Sequence, residues 1–519
     1  MRNSFVHGAL VLMIAAAFNR VIGFIYQAAI YRLIGAEGMG LFNIVYPVYI
    51  LIIVIATAGI PLGISKLVSE EEVKGNRRGS YQILWLSLSI LIISGVFFTA
   101  LSYLISPLLA KYIFVNKMAY PIFLCLLPGL LVISVSSALR GFFQGQMNMK
   151  PPALAQVFEQ IFRVVAGFFL ASFLLPMGIQ WAVVGIAAAS IFGELIGLTV
   201  MLVTFFRDKP TNFGIELPSL KMSGLILHNL LDLCTPITLG RIAATFMLTV
   251  DSMLIPLMLK KVGLSTQMAT VIYGQITTVA LTLLMVPSII TVSLATSLVP
   301  AISEAVALNR PLVVSSRTST AIRVTILSGV PFIAAYMVLA DPITQAIFGS
   351  AQSGRLLSIL ALGGIFVYLQ QTTTGILQGL GFPDIPLKNM IIGGATKILA
   401  ICTLTFMPGF CVEQIIYSYN IFFIITAVLN LHALYQKTTY SLSFGNDLLK
   451  PCLTGVCTAW LLSETYKMVL PITNNAVGVI VSLSVGFIIY LALIIFIGSL
   501  KSSDLQKIPV LRKMVGRRR

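Results

Sequence analysis

Apolar segments of about twenty residues recur along this chain, the first from about residue 6 and the last ending near residue 499. A run of that length is what a helix needs to cross the hydrocarbon core of a bilayer. Only helices and closed barrels can satisfy their own backbone groups there. Barrel strands are about ten residues long and alternate in polarity, whereas these segments are longer and apolar almost throughout. The expected fold class is therefore an all-α polytopic membrane protein. Composition agrees: 58% of the 519 residues are hydrophobic and 10% are charged, against about half and a quarter in soluble domains.

The pattern predicts 14 transmembrane helices, over 6–34, 41–66, 81–106, 119–143, 153–176, 181–206, 226–259, 271–302, 321–340, 355–380, 386–407, 413–436, 449–470 and 476–499. The first segment lacks a small-x-small cleavage site and runs directly into the second, so it reads as a retained helix and not a secretory signal. Loop charge orients the set. Of the 34 Lys and Arg, 23 fall in one set of loops and ends, 6 in the other, and 5 within spans. Basic residues favour the cytoplasmic side, so the chain is expected in the cell membrane with both termini cytoplasmic. The net charge of +17 then reads as topology and not as a nucleic-acid footprint. The tail "RKMVGRRR" is expected to contact anionic lipid.

An internal repeat divides the chain. "GFFQGQMNMKPPALAQVFEQIFRVVAG" from Gly141 matches "GILQGLGFPDIPLKNMIIGGATKILAI" from Gly375 at a constant offset of 234. Gly141 meets Gly375, Gln144 meets Gln378, Gly145 meets Gly379, Pro152 meets Pro386 and Arg163 meets Lys397. Six helices per repeat is an even number, so the two halves should share one orientation about an axis along the membrane normal, with a cavity between them. The expected organisation is an N-lobe at 1–206, a cytoplasmic linker at 207–225, a C-lobe at 226–436, two extra helices at 437–499 and a basic tail at 500–519. Pro47, Gly59, Pro61 and Gly63 in helix 2, and Pro287 and Pro300 in helix 8, predict broken spans in both halves.

Five cations lie inside spans: Arg20, Arg32, Arg163, Arg241 and Lys397. A mid-span arginine costs about 2.5–3.5 kcal/mol on insertion scales and normally faces a bundle interior or a wet cavity. Arg20 and Arg241 have no acid at i±3 or i±4 and occupy related places in the two repeats. Arg163 follows Glu159 by four residues, which favours an intrahelical ion pair; Lys397 has Gly393 at that position instead. The basic surplus suits an anionic substrate, and guanidinium groups hold phosphate oxygens through paired bonds. Candidate diphosphate ligands are Arg20, Arg241, Arg163 and Lys397. Asn19, Glu159, Asp251 and Glu194 are candidate supporting or ion-coupling residues.

No GxxxxGK[ST] nucleotide loop occurs. His7, His228 and His432 make no catalytic or metal cluster, and six scattered cysteines show no metal spacing or disulfide framework. No catalytic residue, metal or cofactor is predicted. A cation-coupled drug antiporter would want an acidic site, yet helix 1 holds no Asp or Glu. A non-transporting scaffold that recruits cell-wall synthases would want larger cytoplasmic loops.

"FNRVIGFIYQAAIYRLIGAEGMGLFNIVYP", "AGIPLGISKLVSE", "LRGFFQGQMNMKPPALAQVFEQIFRV" and "GILQGLGFPDIPLKN" resemble the polysaccharide-transporter branch of the MOP superfamily, within it the stage V sporulation protein B group, and more distantly the MurJ-type lipid II flippases. The resemblance covers nearly the whole chain. It implies two six-helix lobes, alternating access and translocation of an undecaprenyl-diphosphate-linked saccharide or peptidoglycan precursor, in the sporulation group for spore cortex assembly. "FNRVIGF" is similar to the F-x-R-V-L-G-F pattern of MurJ-type proteins, which makes Arg20 the counterpart of their cavity arginine. Tyr26 stands where those proteins usually carry a further arginine, and Leu41 or Phe42 where they carry an aspartate.

Overall fold

The structure, a computed structural model, describes residues 2–208, 219–407, 411–438, 440 and 443–497. Among the described residues there is no strand. The chain divides into two compact units, Met1–Gly274 and Gln275–Arg519. The first contains α1 (Arg2–Thr57), α2 (Ile60–Val73), α3 (Arg77–Tyr112), α4 (Ala119–Leu126), α5 (Gly129–Gly145), α6 (Lys150–Leu174), α7 (Ile179–Asp208), α8 (Leu220–Lys261) and α9 (Thr266–Gly274). The second contains α10 (Leu281–Leu284), α11 (Ser288–Ala307), α12 (Pro311–Val338), α13 (Ala340–Phe348), α14 (Gly354–Ala361), α15 (Gly364–Gly379), α16 (Asp384–Thr405), α17 (Glu413–Lys437), α18 (Lys450–Val469) and α19 (Asn475–Phe496). The basic tail 500–519 and most of the linker 207–225 lie outside the described residues.

The chain is a multi-pass membrane protein. Twelve described helices are long and apolar enough to cross a membrane, or thirteen if Ala351–Ala361 and Gly364–Gly379, bent by 56°, form one span. Beyond that bent pair, the count departs from the expected fourteen in three places, two that lower it and one, the split before Pro287, that raises it. Val11–Val73 is continuous enough to count once, although its 63 residues make about 95 Å of helix against a core of about 30 Å. Thr266–Leu284 and Ser288–Ala307 stand apart, because the helix breaks just before Pro287. Lys450–Val469 is not among the spans.

Two glycines explain the breaks at the start of the chain. Within α1, Gly35 adopts φ 71 and ψ −176, a conformation that a Cβ excludes; the first expected helix ends there and the second begins. Ala58 and Gly59 then have φ 43 and φ 66, which separates α1 from α2 inside the second expected span. The carbonyl of Ala56 accepts from Ser94 Oγ at 2.6 Å, and that of Gly59 accepts from Cys234 Sγ at 3.4 Å. Side chains thus pair backbone groups that the break frees.

The offset of 234 recurs in the helix boundaries. Arg77 and Pro311, Lys150 and Asp384, and Ile179 and Glu413 each begin a helix; Gly145 and Gly379 each end one. It recurs in packing as well. A Cβ on Gly141 would lie 2.5 Å from the Pro61 carbonyl oxygen, and one on Gly375 would lie 2.7 Å from that of Ala295. Gly145 meets Ser65 and Val68, as Gly379 meets Val299 and Ile302. The matched glycines therefore mark one close helix crossing built twice, once in each unit.

Candidate functional site

Helix α6 runs beside α1 in the first unit. Asn19 Nδ2 donates to the Gln156 carbonyl at 3.2 Å, Gly23 approaches Gln160, and the Tyr26 hydroxyl packs onto Gly167. The other flank of α6 packs against α7 through "GELIG", where two glycines four apart let helices approach closely. A Cβ on Gly193 would lie 2.8 Å from the Glu159 carbonyl oxygen, and one on Gly197 would lie 3.4 Å from Glu159 Cβ. Glu194, carried between these glycines, is thereby brought to α6.

The result is a four-residue charge cluster. Arg163 Nη2 donates to Glu159 Oε1 at 2.5 Å and to Glu194 Oε1 at 3.1 Å. Arg140 Nη2, from α5, stands 3.7 Å from Glu159 Oε2. All four side chains are at most one-third exposed. Tyr46 and Tyr49 of α1 lie within electrostatic reach of Arg163 and Glu194. Several buried polar atoms around the cluster have no hydrogen-bond partner: Asn19 Oδ1, Tyr26 Oη, Arg140 Nε and Arg163 Nε. The expected Glu159–Arg163 pair is present and is extended by two residues. Arg140 lies near the end of the expected helix 119–143, and nothing local to it in the sequence marks a partner nineteen residues away. The small-xxx-small spacing at Gly193 and Gly197 was the available signal for Glu194.

Arg20 and Arg241 differ from Arg163. Both side chains are exposed on apolar helices, and among the described residues neither has a carboxylate at ion-pair distance. Neighbours of Arg20 on the open face are apolar: Val21 is 57% exposed and Ile25 59%. Asp251 is buried at 3% exposure, within electrostatic reach of Tyr273. Lys397 belongs to the second unit and is also buried. Its ammonium lies 4.9 Å from the Tyr419 ring centre and 5.0 Å from that of Phe422. The eight candidates therefore separate. Asn19, Glu159, Arg163 and Glu194 gather on the α6 flanks, Arg20 and Arg241 are unmatched cations, and Asp251 and Lys397 are packed elsewhere.

Comparisons with known proteins fit this architecture. The profile of the polysaccharide biosynthesis protein family matches residues 5–306. Stage V sporulation protein B of Bacillus subtilis (strain 168) is 29% identical over 517 residues, 99% of each chain. The lipid II flippase MurJ of the same organism is 30% identical over 221 residues, 40% of each chain. Among solved structures, the lipid II flippase MurJ in an inward closed conformation aligns with a TM-score of 0.71 at 15% identity, covering 94% of this chain and 98% of that one. An inward-facing multidrug resistance MATE family transporter of the MOP superfamily aligns with a TM-score of 0.69 at 15% identity, covering 82% and 98%. The fold is that of the MOP-superfamily transporters.

Proposed function

The chain belongs to the polysaccharide biosynthesis protein family, and we propose that it is a flippase that carries a lipid-linked saccharide from the inner to the outer leaflet. The observation behind this reading is Arg20, an exposed guanidinium on an apolar helix with no carboxylate partner among the described residues. Facing lipid, such a group would cost several kcal/mol; facing water or an anion it would not. Arg241 repeats the arrangement within the same unit. Two unmatched guanidinium groups suit a diphosphate, whose oxygens accept paired charge-assisted bonds. Arg163 and Lys397 are engaged within their own units and take supporting roles.

The substrate is an undecaprenyl-diphosphate-linked saccharide or peptidoglycan precursor, and the process is spore cortex assembly in the cell membrane. Full-length similarity to stage V sporulation protein B supports the process, and similarity to MurJ supports the lipid-linked class. Asp251 is buried where a drug-cation site would need an accessible acid, which favours the anionic substrate over organic cations.

The test is reconstitution in liposomes with a labelled undecaprenyl-diphosphate saccharide. Wild type should expose the label to an external probe. Arg20→Gln and Arg241→Gln should each lower the rate by about tenfold or more, the loss of one charge-assisted contact of about 1.5–3 kcal/mol. Normal insertion with full translocation by Arg20→Gln would sink the role of Arg20.

A further inference from the structure

Glu159 and Glu194 come from different helices, yet one nitrogen serves both carboxyl groups: Arg163 Nη2, at 2.5 Å and 3.1 Å. The two Oε1 atoms, both held by that nitrogen, are therefore no more than 5.6 Å apart. Ionised carboxylates are acceptors only, so a hydrogen bond between two of them requires a proton on one. Charge balance points the same way. Glu159, Arg163 and Glu194 together carry one net negative charge when both acids are ionised, and none when one proton is held. A net charge out of water is costly unless it is compensated.

The groups facing Glu194 define what else could balance it. From α6 these are Glu159 and Arg163; from α5, Arg140; from α1, Tyr46 and Tyr49, with Cys125 of α4 beside Tyr49. Among these described residues, Arg140 is the one additional charge. It stands 3.7 Å from Glu159, and its side chain is 32% exposed, so solvent screens part of its effect.

We propose that Glu159 and Glu194 form a proton-binding pair, holding one exchangeable proton between them, and that substrate movement is coupled to the proton gradient through this pair. The proton comes from water and returns to water; no covalent bond is otherwise made or broken. With the proton bound, Arg163 serves one carboxylate and the α6–α7 contact is neutral. With it released, one guanidinium must hold two anions, and Arg140 is drawn toward Glu159. Protonation thus changes the balance of forces among α5, α6 and α7. The coupling half of the proposal rests on the transport reading above. The proton site itself rests on the geometry alone.

Infrared titration of the purified full-length protein in lipid nanodiscs tests the site without any substrate. Wild type should show a protonated-carboxyl band that disappears at alkaline pH. Glu159→Gln and Glu194→Gln should each lack it, since the remaining carboxylate then has Arg163 to itself. A band retained in both variants, or absent from wild type across the titration, overturns the proton pair. In liposomes, an imposed pH gradient should raise the wild-type translocation rate several-fold. The ratio of rates with and without the gradient should fall to unity in Glu194→Gln. A wild-type rate indifferent to the gradient overturns the coupling. Absence of translocation under every condition overturns the flippase reading, while the infrared result still decides the proton pair.

Discussion

Arg163 and Lys397 occupy matching places in the two repeats, yet their surroundings compensate charge differently. Arg163 is held by carboxylates, and removing it would leave Glu159 and Glu194 buried together with Arg140 alone. Breaking such a buried set costs about 3–5 kcal/mol. Arg163→Gln should therefore lower the thermal unfolding midpoint in detergent clearly. Adding Glu194→Gln should restore part of the loss, a non-additivity that a double-mutant cycle reads directly. If the double variant proves no more stable than the single one, the carboxylates are not competing for Arg163. Lys397, 4% exposed, sits over two rings, and a desolvated cation over an aromatic face gains about 2 kcal/mol or more. Phe422→Leu should accordingly lower stability by about 1 kcal/mol, seen as a modest shift in the same melt. The i,i+4 spacing made the Glu159–Arg163 pair legible in the sequence. The ring partners of Lys397 were not, because Tyr419 and Phe422 lie on the next helix and carry no signal of which way they face.

Helix crossings account for most of what the repeat preserved. Gly141 and Gly375 are not turn residues; each admits a neighbouring backbone, at Pro61 and Ala295. A larger side chain there must push α2 from α5, or α11 from α15. Overpacking of this kind costs about 1–3 kcal/mol, so Gly141→Val and Gly375→Val should both reduce the yield of folded protein and its melting midpoint. The two effects should be similar in size, since the crossing is the same. Gly240 is the contrast: nothing lies within 4 Å of a Cβ placed on it, and helical Gly→Ala gains up to about 1 kcal/mol. Gly240→Ala should leave the midpoint unchanged or raise it; a fall would mean that this glycine is needed for something other than packing. The matched glycines and the pairing of helix starts were legible as an offset of 234, and the broken second and eighth spans as their prolines and glycines. Counting spans was harder. Apolar length alone cannot decide whether Val11–Val73 crosses once or twice, and the answer lies in a single backbone conformation at Gly35. Nor could it foresee that the compact units would divide at Gly274, where packing of α9 against α1 outweighs the repeat boundary. There Gly40 lies against Thr270 and Gly274 against Ala36, again residues 234 apart.

At the scale of the molecule, the asymmetry of 23 to 6 in loop cations makes a claim about which ends of the helices face the cytoplasm. It is independent of substrate and of the charge cluster, and it can be tested position by position. The six native cysteines would first be replaced; Cys411, Cys452 and Cys457 are exposed and would react. Cys234 is best changed to Ser, which keeps a donor to the Gly59 carbonyl. Single cysteines then go at four exposed positions. Arg77→Cys and Lys388→Cys mark the proposed inner side, and Lys117→Cys and Gln352→Cys the outer side. A membrane-impermeant thiol reagent applied to intact cells should label 117 and 352, and should reach 77 and 388 only after the membrane is opened. Each outcome carries a separate meaning. Labelling of 77 and 388 instead of 117 and 352 would invert the orientation and leave the fold untouched, and with it would invert the direction of transport. Labelling of 77 and 117 from one side would contradict the spanning of α3, because Arg77–Tyr112 is one unbroken helix of 36 residues, about 54 Å long, against a hydrocarbon core of about 30 Å.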